Sequence, residues 1–370
     1  MTNMYHETVL EIHLPHLTHN FKYLKSKISA ETKFMAVVKA AGYGSEAAPV
    51  AKHLQSLGVD YFAVAYTSEG VELVQKGITT PILVLHPQPT HFKELVTHRL
   101  IPSLYNLYVL KEFIQFCTSE GITQYPVHLK FNTGLNRIGF SMDDIDACYG
   151  LIRNTKAVIV EGILSHLAAS EDLKEKEFTL GQIKSFQTIV SKAPSLFGTI
   201  PLVHQSNTSG ILNYPEAHFT MVRSGIGLYG FGNDVKFDKN LKPVTSLKSV
   251  ITQINTIKKG ESVGYNRAFV ANKKTISATI ALGHADGIGR IFGNQKGFVW
   301  IHGKKAPILG NVCMDMLMVD VTAILCSVGD EVIIFNAHHT AASVAEISGT
   351  ISYELLTAIS PRVKRKIINR

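Results

Sequence analysis

The sequence predicts an N-terminal (β/α)8 barrel followed by a mostly β C-terminal domain, with the boundary near residue 240. Three observations carry this. Through the first two thirds of the chain, short apolar runs alternate with amphipathic stretches of helical period. The runs themselves do not alternate apolar with polar residues, which is the pattern of strands buried on both faces of a parallel sheet. Beyond residue 240 strand-like runs continue, with turns rather than helices between them.

The runs of the first domain, residues 1–240, are FMAVVKA (34–40), YFAVAY (61–66), PILVLH (81–86), IPSLY (101–105), VHLKFN (127–132), VEGILSH (160–166), LVHQSN (202–207) and MVRSGIGLYG (221–230). Helical stretches between them include Ala47 to Leu57, Leu107 to Cys117, Met142 to Arg153 and Glu175 to Val190. Eight such repeats fit a closed barrel. An open doubly wound sheet is the alternative, but no glycine fingerprint follows the first strand to support it. The second domain, residues 241–370, holds the runs 244–257, 275–282, 297–301, 305–309, 316–321 and 331–335. Turn signals such as Lys259-Gly260 and Asp286-Gly287 separate them, and one helical stretch covers Ala341 to Ile347.

Composition narrows the class. With 45% hydrophobic and 18% charged residues the chain can build a sizeable core. The cysteines, Cys117, Cys148, Cys313 and Cys326, show no CxxC spacing, so neither a disulfide framework nor a metal site is expected. The N-terminus lacks a leader's apolar segment, and no apolar run reaches the ~20 residues of a membrane span. A soluble, cytoplasmic protein is expected. Of the net charge of +8, five positive charges fall in the last ten residues, on Arg362, Lys364, Arg365, Lys366 and Arg370. The rest is nearly balanced, which argues against nucleic-acid binding and reads as a solvated or interface-forming tail.

In a barrel, reactive groups belong at the C-terminal ends of the strands. Those ends offer Lys39, Lys130 with Asn132, His166, Asn207 and Arg223. A lysine closing the run Phe34 to Val38 is either a snorkelling surface residue or an amine held in a desolvated mouth, where its pKa falls and it attacks carbonyls. Tyr43, between Gly42 and Gly44, follows a tight turn beside that amine. After the eighth strand, Arg223-Ser224-Gly225-Ile226-Gly227 lets backbone amides approach an anion, at the usual barrel phosphate site. Asn207 and Thr208 would add side-chain donors. Amine, phosphate cradle and buried arginine together outline a pyridoxal-phosphate site. Histidines 86, 91, 98, 128, 218, 338 and 339 read most simply as surface or supporting residues.

The motif AVVKAAGYG (36–44) resembles the AVVKADAYGHG signature of alanine racemases. The resemblance continues in order through LKFNTGLNRIGF (129–140), SHLA (165–168), HQSNTSG (204–210), VRSGIGLYG (222–230), SVGYNRAF (262–269), LGHADG (282–287), NVCMDMLMVDVT (311–322) and GTISYELL (349–356). It covers nearly the whole chain, and it implies the same barrel and β domain, with residues up to about Glu11 joining the β domain.

What the resemblance implies is specific. Lys39 would bind pyridoxal 5'-phosphate covalently and act as one of two catalytic bases. Tyr43, Thr208, Tyr353 and the backbone of Gly225 and Ile226 would hold the phosphate. Arg137 would reach the substrate carboxylate, positioned by Lys130, which is carbamylated in many relatives. His166 would pack on the ring and orient Arg223 at the pyridine nitrogen. Tyr265 would be the second base, supplied with Met314 by the other subunit of a homodimer, and Asp315 would lie beside the site. The product, D-alanine, would go to cell-wall peptidoglycan.

The sequence departs from the family at several points. Asn132 stands for the usual aspartate, KAAGYGSE for KADAYGHG, and Pro361 for an aromatic or polar residue. His284 replaces a tyrosine of the substrate access channel, which bears on substrate breadth. A non-catalytic barrel protein would end near Gly230 and lack Tyr265. A racemase for serine or another amino acid shares every motif, whereas Arg223 argues against a decarboxylase. Relatives with this wording sometimes follow a cell-wall ligase on one polypeptide.

Overall fold

The computed structural model describes residues 7–369. Met1–His6, part of the segment read as leader-free, and Arg370 of the basic tail lie outside them. The chain divides into two compact units. One contains Thr18–Gly42 and Ala47–Leu241; the other contains the N-terminal segment to Leu17, Tyr43–Glu46 and Lys242 onward.

Strand β1 (Val9–His13) belongs to the second unit and runs into the helix Leu14–Lys25. The barrel strands follow: β2 (Lys33–Val37), β3 (Tyr61–Val64), β4 (Ile82–Val84), β5 (Ile101–Leu104), β6 (Tyr125–Lys130), β7 (Val158–Leu164), β8 (Leu202–His204) and β9 (Met221–Ser224). All neighbours pair in parallel, in the order β8-β7-β6-β5-β4-β3-β2-β9. Thr220 N–H donates to Val203 O and Arg223 N–H to Ser206 O, which joins the two ends into a closed (β/α)8 barrel. Every residue of β3, β4 and β5 is buried, because helices cover the outside and side chains fill the inside.

The covering helices are locally encoded. In Leu107–Ser119 the Asn106 side chain caps the N-terminus by accepting from Val109 N–H at 2.8 Å. Val109, Leu110, Phe113 and Cys117 form its buried stripe, at helical spacing. Of the 13 residues the stripe is four, so the opposite face stays polar and solvated.

The second unit is a sheet of eight strands built from β1, β10 (Thr245–Ile257), β13 (Thr275–Ile280), β14 (Phe298–Ile301), β15 (Lys304–Leu309), β16 (Leu317–Asp320), β17 (Glu331–Phe335) and β18 (Lys364–Ile368). A separate hairpin pairs β11 (Ser262–Val263) with β12 (Phe269–Val270). Because β13 pairs with β10 as well as β16, the strands from β10 to β17 close on themselves. Helices Ala341–Ile347 and Ser352–Thr357 follow. The first was expected from the sequence; the second, only six residues long, gave no periodic signal.

The basic tail departs from the sequence reading. Lys364–Ile368 is strand β18, parallel to β1 from Val9↔Lys364 to His13↔Ile368. The Arg365 guanidinium donates to the carbonyls of Gly44, Ile359, Ser360 and Val363. Arg362 pairs with Asp286 and Asp315 at 2.7 and 2.8 Å. Local charge density conceals an edge strand whose Arg365 is held by carbonyls near and far in sequence, with Arg362 before it held by two distant carboxylates.

Candidate active site

Lys39 follows β2 directly, and the chain then turns through a left-handed segment. Ala40, Ala41 and Tyr43 have φ of 53°, 52° and 53°. A side chain in this region costs about 1–2 kcal/mol per residue, so something must hold the turn. Glu69 does so: its carboxylate accepts from Ala40 N–H at 2.6 Å and from Ala65 N–H at 2.7 Å. Burial, then the neighbouring Arg137 charge, pushes the Lys39 amine below the usual lysine range. That favours the neutral, nucleophilic amine.

Arg223, on β9, is only 4% exposed. Its guanidinium donates to His204 Nδ1 (2.7 Å), Ser165 O (2.8 Å), Gln205 O (3.0 Å) and His166 Nδ1 (3.1 Å). Burial pushes it down to about 9, so it remains a cation at neutral pH. The same burial and the nearby cations hold His166 and His204 well below the ordinary histidine range, hence neutral. Lys130, 6% exposed at the end of β6, is pushed down to about 7 by burial and by Arg137, Arg223 and Lys39. Arg137 itself is exposed on the loop after Asn132, whose side chain ties Gly134 and Asn136.

The anion cradle sits after β8 and β9. Thr208 Oγ1 is 3.0 Å from Ser224 Oγ and accepts from Gly227 N–H at 3.2 Å. A Cβ on Gly227 would lie 2.6 Å from Thr208 Cγ2, so only glycine permits this approach. The buried Ser209 hydroxyl makes no hydrogen bond among the described residues. The buried backbone of Gly225 and Ile226 lines the same turn. The Asn207 side-chain oxygen caps the helix Thr208–Asn213, accepting from Gly210 N–H and Ser170 Oγ–H, both at 2.8 Å, which leaves its NH2 group as the donor. An unsatisfied hydroxyl, a glycine-lined approach, an activated amine and a fixed guanidinium suit a phosphorylated carbonyl cofactor.

In the second unit, Tyr43 and Tyr353 face one another with ring centroids 6.1 Å apart. Tyr265 lies in the β11–β12 hairpin and is 71% exposed; Met314 is 58% exposed. Both line an open groove of about 460 Å³, with Asp315 and Met316. Asp315 is anchored by Arg362, and His284 is exposed on a short turn whose backbone N–H donates to Cys313 O. For His128 the structure selects the supporting alternative. Read as a surface or supporting residue, it is fully buried and joins its ring to His204 at 2.9 Å. No cluster of three or more His, Cys, Asp or Glu side chains able to hold a metal occurs among the described residues.

These features are those of a barrel whose lysine and anion cradle suit a phosphate-bearing carbonyl cofactor. Residues 12–232 match the profile of the alanine racemase N-terminal domain, and residues 244–367 that of its C-terminal domain. Alanine racemase 1 of Caldanaerobacter subterraneus is 36% identical over 368 residues, 97% of this chain and 94% of that one. The solved alanine racemase of Clostridium difficile superposes with a TM-score of 0.92 at 33% identity, covering 98% of this chain and 96% of that one. That of Bartonella henselae, solved with covalently bound pyridoxal phosphate, superposes at 0.89 with 28% identity, covering 98% and 99%. The chain belongs to the alanine racemase family, and its reaction is the pyridoxal-phosphate-dependent interconversion of L- and D-alanine.

Proposed function

We propose that Lys39 and Tyr265 are the two bases of this racemisation, and that two copies of the chain complete each other's sites. The carrying observation is the placement of Tyr265. It is the largely exposed tip of a hairpin beside Met314, in an open groove, and so is available to a second copy. Lys39 stands in the barrel unit with its amine held below the usual lysine range. Inverting a carbon requires a base on each face, and two residues of different origin meet that need.

Pyridoxal phosphate, when bound, withdraws electrons from the α-carbon and makes its proton acidic. The chain's own residues do the rest. Thr208 and the backbone amides of Gly225 and Ile226 receive the phosphate, with Tyr43 and Tyr353 adding phenol donors. Arg223, a group that does not give up its proton, faces the pyridine nitrogen and limits how much charge the ring accepts. This favours racemisation over reactions that need a long-lived carbanion. His166 packs on the ring, and Arg137 receives the substrate carboxylate. Lys130, partly neutral near pH 7, is in the form that carbon dioxide carbamylates. The enzyme works in the cytoplasm, the barrel domain occupies residues 1–240 less the N-terminal strand that joins the β domain, and its D-alanine supplies peptidoglycan.

The test is stereochemical. In deuterium oxide, Tyr265→Ala is expected to exchange the α-proton of D-alanine much faster than that of L-alanine, since Lys39 remains on its own face. NMR of each enantiomer, followed separately, reads this directly. Equal exchange above the rate of free pyridoxal phosphate would sink the two-base assignment.

A further inference from the structure

Within the barrel a line of polar groups leads away from Arg223, hydrogen-bonded as far as His128. Its guanidinium reaches His204 Nδ1 at 2.7 Å, His204 Nε2 lies 2.9 Å from His128 Nδ1, and His128 Nε2 lies 3.5 Å from the Glu161 carboxylate. Tyr61 O–H donates to the same carboxylate oxygen at 2.8 Å. The two ends fix the direction of every bond. A guanidinium only donates, so His204 must accept at Nδ1 and carry its proton on Nε2. It then donates to His128 Nδ1, which leaves the His128 proton on Nε2, pointing at an ionised carboxylate that only accepts.

The backbone is shaped for this line. Pairing of β6 with β7 slips between Val127↔Val160 and His128↔Gly162, leaving Glu161 as an extra residue. A Cβ on Gly162 would lie 2.6 Å from the His128 ring, so the glycine makes room for the imidazole that its neighbour's carboxylate receives. None of the groups that Arg223 touches is a carboxylate. Glu161 is the anion at the far end of this line, 3.5 Å from a His128 Nε2 that makes no hydrogen bond among the described residues.

We infer that Glu161 is a positioning residue for the reaction. Through His128 and His204 it supplies the counter-charge that orients Arg223 and keeps it cationic at the cofactor ring. The inference rests on the placement of Arg223 at that ring.

The experiment uses the pyridoxal-phosphate-loaded enzyme with Glu161→Gln, Tyr61→Phe and Arg223→Lys. Glu161→Gln removes the charge at constant shape; Tyr61→Phe removes a neighbouring hydroxyl and leaves the charge. Expected for Glu161→Gln are a kcat about tenfold lower, a KM for alanine changed less than about twofold, and a displaced pH titration of the cofactor's visible band, on the scale typical of outer supporting residues. Tyr61→Phe should leave the titration in place. If Arg223→Lys moves the band and a folded Glu161→Gln does not, the relay is wrong. If neither moves it, the placement of Arg223 is wrong. Should Glu161→Gln fail to fold, nitrogen-15 NMR of the wild-type histidines decides: both His128 and His204 must be neutral with the proton on Nε2, and a proton on Nδ1 of either overturns the inference.

Discussion

The Arg223 guanidinium and the His166 imidazole meet at 3.1 Å, with His166 Nδ1 the only acceptor of the two. His166 is therefore neutral with its proton on Nε2, and burial and the adjacent cations keep it so well below the ordinary histidine range. A neutral imidazole can lie against an arginine without repulsion, and the pair presents one cation, not two, to whatever binds beside it.

Replacing Arg223 with glutamate should therefore change the reaction and not merely weaken it. We expect Arg223→Glu to lower kcat for racemisation at least about a hundredfold, a barrier increase of about 2.7 kcal/mol. Side products, measured as keto acid formed per racemisation event, should rise. A racemisation rate within threefold of wild type would remove Arg223 from its assigned role.

Lys39 should be the attachment point. Borohydride reduction of the loaded enzyme, followed by peptide mapping, is expected to label the peptide containing Lys39 and no other lysine. A label on Lys130, the other buried lysine with a lowered pKa, would reassign the site.

Shared sites predict complementation. Lys39→Ala and Tyr265→Ala should each be inactive alone. After subunit exchange, half the dimers are hybrids with one intact site each, so activity should recover to about a quarter of wild type in a two-fold dimer. Exchange proven by mass spectrometry without recovery would count against sharing.

Lys130 gives a stability prediction with a definite sign. Burial holds its amine down to about 7 in the folded state, whereas the unfolded chain titrates near ~10.4. Between these values the unfolded state binds the extra proton, so stability rises with pH, and the penalty is full and constant below about pH 7. Lys130→Met, in carbon-dioxide-free buffer, should stabilise the apoprotein. The gain should be nil above about pH 10.5 and grow by up to about 1.4 kcal/mol for each pH unit down to about 7. Urea denaturation at pH 6, 8 and 10 measures it; a gain that increased with pH would refute the burial of an unpaired amine.

The sequence by itself determined the local and periodic features of this protein. Buried strands such as Tyr61–Val64 and the capped helix Leu107–Ser119 follow from apolar period and side-chain chemistry, which act over a few residues. Lys39 and Arg223 were legible because a charged residue ending an apolar run stands out against it. The tertiary structure alone decided how distant groups meet. His128 reads as one polar residue in a strand until the β6–β7 slip sets it between His204 and Glu161. Asn207 reads as a side-chain donor, and only the fold shows that its oxygen also caps a helix. The basic terminus reads as solvated or interface-forming until β1 pairs with it and Asp286, Asp315 and four carbonyls hold Arg362 and Arg365. Pairings separated by up to hundreds of residues leave no periodic trace, because the energy that fixes them comes from partners the chain meets only when folded.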